Sequence, residues 1–301
     1  MEETQPPQQT NETKDHSLAL SILASAILLS GAWVYTSTYA GRDRGNNFTA
    51  SGERIDNIMP ENGTVLPISW NDLGAQMIQA GVIDEPQFLA LYEQRGGLDP
   101  SEKQLLEGSS SSNVIMNKNN SGVLLNLFWA FGLSNKNEIL EKGPMSDPKY
   151  GSAANFASTG GWTISQGNVV DHYSRHAFVT LTPAQQVLVE RVAKNIYRPC
   201  CGNSTYFPDC NHGMAMLGLL ELMAAQNVSE QDMYKTALQV NAYWFPDNYM
   251  TIANYMAVKG IAWNNVDPKE ILGQNISGAA GYKKIKESVP ATQQKSASCS
   301  V

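Results

Sequence analysis

Cysteine and histidine are the residues of this chain whose types and spacing favour metal or thiol chemistry. The sequence has only four cysteines and four histidines, and three of each fall within the stretch 172–216. These six are Cys200, Cys201, Cys210, His172, His176 and His212. Crowding of such scarce ligand residues indicates a shared role, which is either metal coordination or disulfide and thiol chemistry.

The three clustered cysteines, Cys200, Cys201 and Cys210, are called the cysteine cluster below. With His212 they offer a Cys₃His set of the kind that binds zinc, or a sulfur-rich set that suits copper. Two of them are adjacent, whereas zinc ribbons usually separate paired cysteines by two residues. Cys210 comes just before a predicted helix, and helix N-terminal amides favour the thiolate form that binds metals or attacks disulfides.

The histidine pair extends the predicted zinc or copper site. His172 and His176 are four residues apart in a segment predicted to be helical, so their imidazoles would project from one helix face. Met214 and Met216 would add sulfur donors for copper, although methionines in an apolar helix usually fill the core. Glu221 is the one acid of that helix, and it is either a proton-transfer group or a solvent-facing residue.

A disulfide is the main alternative to a metal. Cys200 or Cys201 joined to Cys210 would brace the turn between two helices, as is common outside the cell. This pairing leaves one thiol of the cluster unpaired, and distant Cys299 is a possible partner for it. A third alternative is a thiol oxidoreductase in which Cys210 acts with Cys200 or Cys201.

The N-terminal part of the chain predicts a membrane anchor. Residues 1–16 are polar and predict a disordered tail. Residues 17–40 contain no charged residue, and this run is long enough for a helix that spans a bilayer. A cleaved signal peptide is the alternative, but the apolar run is long and the tail before it is not basic. The arginines after the anchor favour a cytoplasmic domain, whereas an anchored domain that bears cysteines is a layout common in exported proteins. We expect an uncleaved anchor with the large domain outside the cytoplasm.

The remainder predicts one irregular all-α domain over residues 66–282, after a linker at 41–65 and before a flexible tail at 283–301. Apolar spacing and capping residues predict about eight to ten helices, and no segment alternates as a strand does. The predicted helices follow Asp72, or span 84–95, 100–106, 123–131, 163–178, 182–196, 211–226, 229–243, 250–258 and 268–272. The helix at 211–226 is apolar nearly all round and is therefore expected at the domain centre.

Charge and motifs exclude several functions. A formal net charge of −7 without a basic stripe gives no electrostatic reason to bind nucleic acid. The chain has no Walker loop, dinucleotide fingerprint, Gly-x-Ser-x-Gly, His-Glu-x-x-His or Cys-x-x-Cys motif. These absences favour a binding or structural protein over an enzyme, and the sequence names no protein partner.

Overall fold

The computed structural model of this chain describes residues 55–289. The predicted tail at 1–16 and the predicted anchor at 17–40 lie outside this range. The described helices are α1 Ile55–Ile58, α2 Leu73–Gln79, α3 Glu85–Glu93, α4 Pro100–Glu107, α5 Ser121–Ser134, α6 Glu138–Lys142, α7 Ala157–Gly160, α8 Pro183–Ala193, α9 Asn211–Ala225, α10 Glu230–Trp244, α11 Pro246–Val258, α12 Pro268–Ile271 and α13 Ala279–Ser288. Strands β1 Thr64–Asn71 and β2 Ser110–Met116 form a two-stranded antiparallel sheet. The domain is therefore mostly helical, and the expectation of no strands was wrong.

Helices α5 and α9 cross at the centre of the core. In α9 every residue from His212 to Ala224 is buried, which confirms that an all-round apolar helix takes the central place. Two glycines allow the close crossing, since a Cβ added at Gly132 would stand 2.2 Å from the carbonyl oxygen of Met214, and one at Gly218 would stand 2.6 Å from that of Phe128. Helices α7, α8 and α10 pack around α9.

The sheet covers one side of the core through alternate residues of β1. Leu66, Ile68 and Trp70 are fully buried, whereas the residues between them are more exposed. This is the period-2 pattern of a half-buried strand. The pairing shifts register between Val65 and Ser69, around Pro67, which has no N–H to donate to the ladder. Pro67 is one reason why this strand is difficult to predict from the sequence.

Capping residues placed the ends of several helices correctly. Thr182 and Gln185 form a capping box at the start of α8, with Pro183 as its first helical residue. Helix α4 has a capping box as well, which Asp99 and Glu102 form. The structure also extends past the expected limits, since α1 lies within the predicted linker and α13 runs to Ser288.

The predicted helix at 163–178 is wrong. This segment contains one 3₁₀ turn at Val169–Asp171, and the rest is irregular. Besides short turns of its own, the segment bonds to the end of α5: the amides of Ser174 and His176 donate to the carbonyls of Leu133 and Ser134 at 2.9 and 2.8 Å. Tertiary hydrogen bonds therefore override the local helical pattern. Within residues 55–289, no helix combines the length and apolarity needed to cross a bilayer.

Candidate metal centre

The cysteines lie on the connection between α8 and α9, residues 194–210, which we call the cysteine loop. Its backbone folds back on itself, because the amide of Thr205 donates to the carbonyl of Ile196 at 2.8 Å. Two more backbone bonds tie it to the C-terminal part of the domain: Tyr197 donates to Leu272 at 2.8 Å, and Ala279 donates to Cys201 at 3.1 Å. These three backbone bonds hold the cysteine loop in place.

The three thiols of the cysteine cluster converge at the start of α9. The Sγ atoms of Cys200 and Cys201 lie 3.6 Å apart, and each lies 3.8 Å from Sγ of Cys210. All three cysteines are free, with Cys200 exposed and the other two partly buried. Among the described residues, they are the one set of three or more His, Cys, Asp or Glu whose ligand atoms all lie within 4.8 Å of one another.

The size of this sulfur triangle matches a metal site. A point equidistant from three sulfurs with these separations lies about 2.2 Å from each of them in their plane, close to the Zn–S bond of about 2.3 Å. Tetrahedral zinc would hold its sulfurs about 3.8 Å apart. A disulfide needs a sulfur separation near 2.0 Å, which no pair in the cluster has. The three thiols could therefore hold one thiophilic ion without rearrangement.

A buried arginine supports Cys210. The side chain of Arg198 is 1% exposed and its Nε donates to Sγ of Cys210 at 3.0 Å. Its other nitrogens donate to Asp209 Oδ1 at 2.8 Å and to the carbonyl of Asn203 at 3.1 Å. Asp209 also accepts from Nδ2 of Asn203 at 2.7 Å. A buried charge requires such partners, so this network fixes the guanidinium beside the thiol.

These neighbours make Cys210 the most acidic thiol of the cluster. Hydrogen bonds from Cys200 and Cys201 hold its pKa well below the usual value, and the charge of Arg198 and a contact with His212 lower the pKa further. Cys210 also caps α9, where its Sγ accepts from the amide of Gly213 at 3.4 Å. Hydrogen bonds to Cys201 and to Cys210 raise the pKa of Cys200. Cys210 is thus the most acidic of the three thiols, in line with its position at a helix start.

Gly213 leaves the space that Arg198 occupies. A Cβ at this position would stand 2.3 Å from Nη2 of Arg198, which its hydrogen bonds prevent from moving away. We expect Gly213→Ala to lower the free energy of unfolding by about 1–3 kcal/mol, as overpacking does. Urea denaturation measures this change. Gly202→Ala in the same loop is the control, since no heavy atom lies within 4 Å of its added Cβ. Equal stability of the two variants would contradict the packing argument.

The structure brings His212 near Cys210 but not into the cysteine cluster. Its ring is packed 4.5 Å from the ring of Phe245 and 5.8 Å from that of Trp244, measured between centroids. Its Nδ1 lies 2.9 Å from Oδ1 of Asn211. His212 is therefore outside the set of mutually close ligand atoms that the three sulfurs form. The predicted Cys₃His set appears in this geometry as three sulfurs with an imidazole alongside.

His172 and His176 form a separate pair on the irregular segment before α8. Nε2 of His172 lies 3.0 Å from the carbonyl oxygen of Gln166, which can only accept, so Nε2 carries the proton. Nδ1 of His172 then accepts from Nε2 of His176 at 3.1 Å. Burial lowers the pKa of His176, and His172 and Arg175 lower it further. This hydrogen bond uses the His172 lone pair that a metal would need, and neither ring joins the set of three sulfurs.

The remaining candidates lie in the core. Met214 and Met216 are fully buried in α9 among the apolar side chains, which is the core-filling alternative. Glu221 is 0% exposed, so the solvent-facing interpretation was wrong. Its Oε2 accepts from Nδ2 of Asn135 at 2.5 Å, and its Oε1 has no hydrogen-bond partner.

Sequence reasoning missed Arg198 and its partners. The signal was present, since Arg198 comes two residues before Cys200 and Asp209 comes directly before Cys210. Charged residues of opposite sign beside clustered cysteines indicate a built electrostatic environment. Comparisons with known protein families, with curated proteins and with solved structures found no match to this chain. Functional inference therefore rests on the geometry of the cysteine cluster.

Proposed function

We propose that this chain is a membrane-anchored protein whose helical domain lies outside the cytoplasm and binds one zinc or copper ion through the cysteine cluster. The observation that carries the metal proposal is the triangle of three free thiols with sides of 3.6, 3.8 and 3.8 Å. Thiolates select soft or borderline metals, and Cu(I) and Zn²⁺ are the ions that such sites commonly hold. The uncharged run at 17–40 supports the anchor.

Metal analysis of the full chain tests the proposal. We expect about one zinc or copper ion per chain after purification, because three preplaced sulfurs form a strong ligand set. Cys210→Ser removes the sulfur held by Arg198 and should reduce bound metal to background. Cys299→Ser is the matched control, since it removes a cysteine outside the cluster, and it should retain the metal. Substoichiometric metal in the wild-type chain, together with at most two free thiols, would overturn the proposal.

Orientation has a separate test. If the domain lies outside the cytoplasm, protease added to intact cells should cleave it, whereas a cytoplasmic domain would be protected. Protection in intact cells with cleavage after lysis would reverse the proposed orientation and leave the metal site unaffected. A count of at most two free thiols would instead favour the alternative function, an envelope protein whose structure is braced by a disulfide.

The Arg198 contact also favours a second candidate, a thiol–disulfide oxidoreductase. The Cys210 thiolate would attack one sulfur of an external disulfide and release the other as a thiolate. Cys201, 3.8 Å away, would lose its proton and displace the second external thiolate, which leaves a Cys201–Cys210 disulfide. Cys210→Ser should abolish this exchange with a small disulfide substrate. Unchanged exchange in that variant would eliminate this function.

A further inference from the structure

We infer that zinc bound by the cysteine cluster has a fourth coordination position open to solvent, and that this position accepts a small external thiolate. The inference rests on the proposed metal-binding function and specifies what that site recognises. Three protein ligands with a free fourth position are the arrangement of zinc sites that bind external molecules, whereas structural sites have four protein ligands.

The described residues supply three ligands to this metal site. Tetrahedral zinc with bonds of about 2.0–2.3 Å places its ligand atoms no more than about 3.8 Å apart. Within residues 55–289, the set of ligand atoms that satisfies even a 4.8 Å limit consists of the three sulfurs. The described part of the domain thus provides a site that is one ligand short of the number zinc prefers.

His212 is the residue that would complete the predicted Cys₃His set. Its ring is tilted by 36° against the ring of Phe245, and its Nδ1 bonds to Asn211. His212 is also 6% exposed within the first turn of α9, so its surroundings hold the ring on that side. Coordination together with all three sulfurs would require the ring to move, since its nitrogens lie outside the set of ligand atoms within 4.8 Å of one another. His212 therefore contributes to the environment of Cys210 and not to the ligand set.

The cysteine cluster is covered at one end and exposed at the other. Arg198 and Gly213 cover Cys210, which lies at the buried end. Cys200 is exposed, and no heavy atom lies within 4 Å of a Cβ built at Gly202, the residue that follows the cysteine pair. Solvent therefore borders the cluster at the Cys200 end. An external ligand would therefore approach the ion from this end of the cluster.

The class of ligand follows from the donor set. A zinc ion already bound by sulfur is a good partner for another soft donor, and water fills the position when no such donor is present. A small thiol loses its proton on binding, and its thiolate forms the fourth bond while water leaves. No oxidation or reduction is involved in this exchange.

The experiment loads the full chain with Co²⁺, whose absorption reports the number of bound thiolates, and then adds 2-mercaptoethanol. We expect one Co²⁺ per chain and, after the thiol is added, an increase of about one third in sulfur-to-metal charge-transfer absorption as a fourth thiolate joins three. His212→Gln should give the same spectrum and the same increase. If that variant does not fold, the titration of the wild-type chain by itself tests the open position.

The other outcomes separate the two proposals. No bound Co²⁺ and no bound Zn²⁺ would refute the metal site itself. Bound Co²⁺ with a spectrum that the thiol leaves unchanged would refute the open position, and a changed spectrum in His212→Gln would identify His212 as the fourth ligand. If the thiol instead removes Co²⁺ from the chain, gel filtration would detect the loss of metal. This result would also refute the open position, because the chain, the ion and the thiol would not form one complex.

Discussion

Glu221→Gln should make the domain more stable at pH 9 than the wild type. It should also remove most of the pH dependence of the free energy of unfolding between pH 4.5 and 8. Burial raises the pKa of Glu221 from 4.5 to about 8, and the nearby side-chain amides of Asn135 and Asn137 offset only part of this rise. The acid is therefore neutral in the fold at pH 7. Glutamine has the same shape as the protonated acid and no charge to ionise.

The sign follows from proton binding in the two states. Below pH 4.5 both the folded and the unfolded chain bind the proton, so stability is highest with respect to this group. Between pH 4.5 and 8 the unfolded chain loses the proton while the fold keeps it, and stability falls as pH rises. Above pH 8 the loss is complete. A shift from 4.5 to about 8 corresponds to at most about 4–5 kcal/mol.

Urea denaturation from pH 4 to pH 9 measures the effect. The wild-type free energy of unfolding should decline by several kcal/mol more than that of Glu221→Gln over this range. Glu93→Gln is the control, since Glu93 is exposed at the end of α3 and its loss changes only the surface charge. Parallel pH profiles for the wild type and Glu221→Gln would mean that Glu221 ionises freely in the fold.

Gly132→Ala should destabilise the domain by about 3 kcal/mol or more. The added Cβ would stand 2.2 Å from the carbonyl oxygen of Met214 and 2.9 Å from the amide nitrogen of Gly218, and both are backbone atoms of α9. Backbone cannot rotate away as a side chain can, so the two central helices must separate. Overpacking of a core typically costs about 1–3 kcal/mol and more when the backbone has to move.

The matched control is Gly122→Ala in the same helix. No heavy atom lies within 4 Å of a Cβ at Gly122, so this alanine should stabilise α5 by about 0.5–1 kcal/mol through its better helix propensity. Urea denaturation followed by circular dichroism compares the two variants. If Gly132→Ala unfolds at the wild-type urea concentration, the close helix crossing is not a determinant of stability.

The sequence predicted those helices that carry their own signals. Helix α8 has a complete capping box and α9 is apolar along its whole length, and both were located correctly. Strand β1 was missed, because Pro67 interrupts its alternation and residues 69–72 resemble a helix start. The segment 163–178 was misassigned, since its backbone partners lie on α5 and a local pattern carries no information about them.

The site was predictable to a similar extent. The three cysteines converge because two are adjacent and the third lies ten residues later across a closed loop, so proximity in sequence became proximity in space. The histidines at 172 and 176 do not join them, because the helix assumed for their segment does not form. The position of Arg198 could not be predicted from the sequence, since its burial beside Cys210 depends on Gly213 in the next helix.

The backbone bond from Ala279 to Cys201 has a consequence for how the protein is made. A ribosome that adds about 5–20 residues per second needs about 4–16 s to proceed from Cys210 to the end of α13. During this interval the nascent chain already carries its three sulfhydryls, while Ala279, whose amide bonds to the cysteine loop, has not been synthesised. Premature cross-linking is therefore a hazard of biosynthesis, and a chain that stops before residue 279 should lack this one restraint on its sulfhydryls.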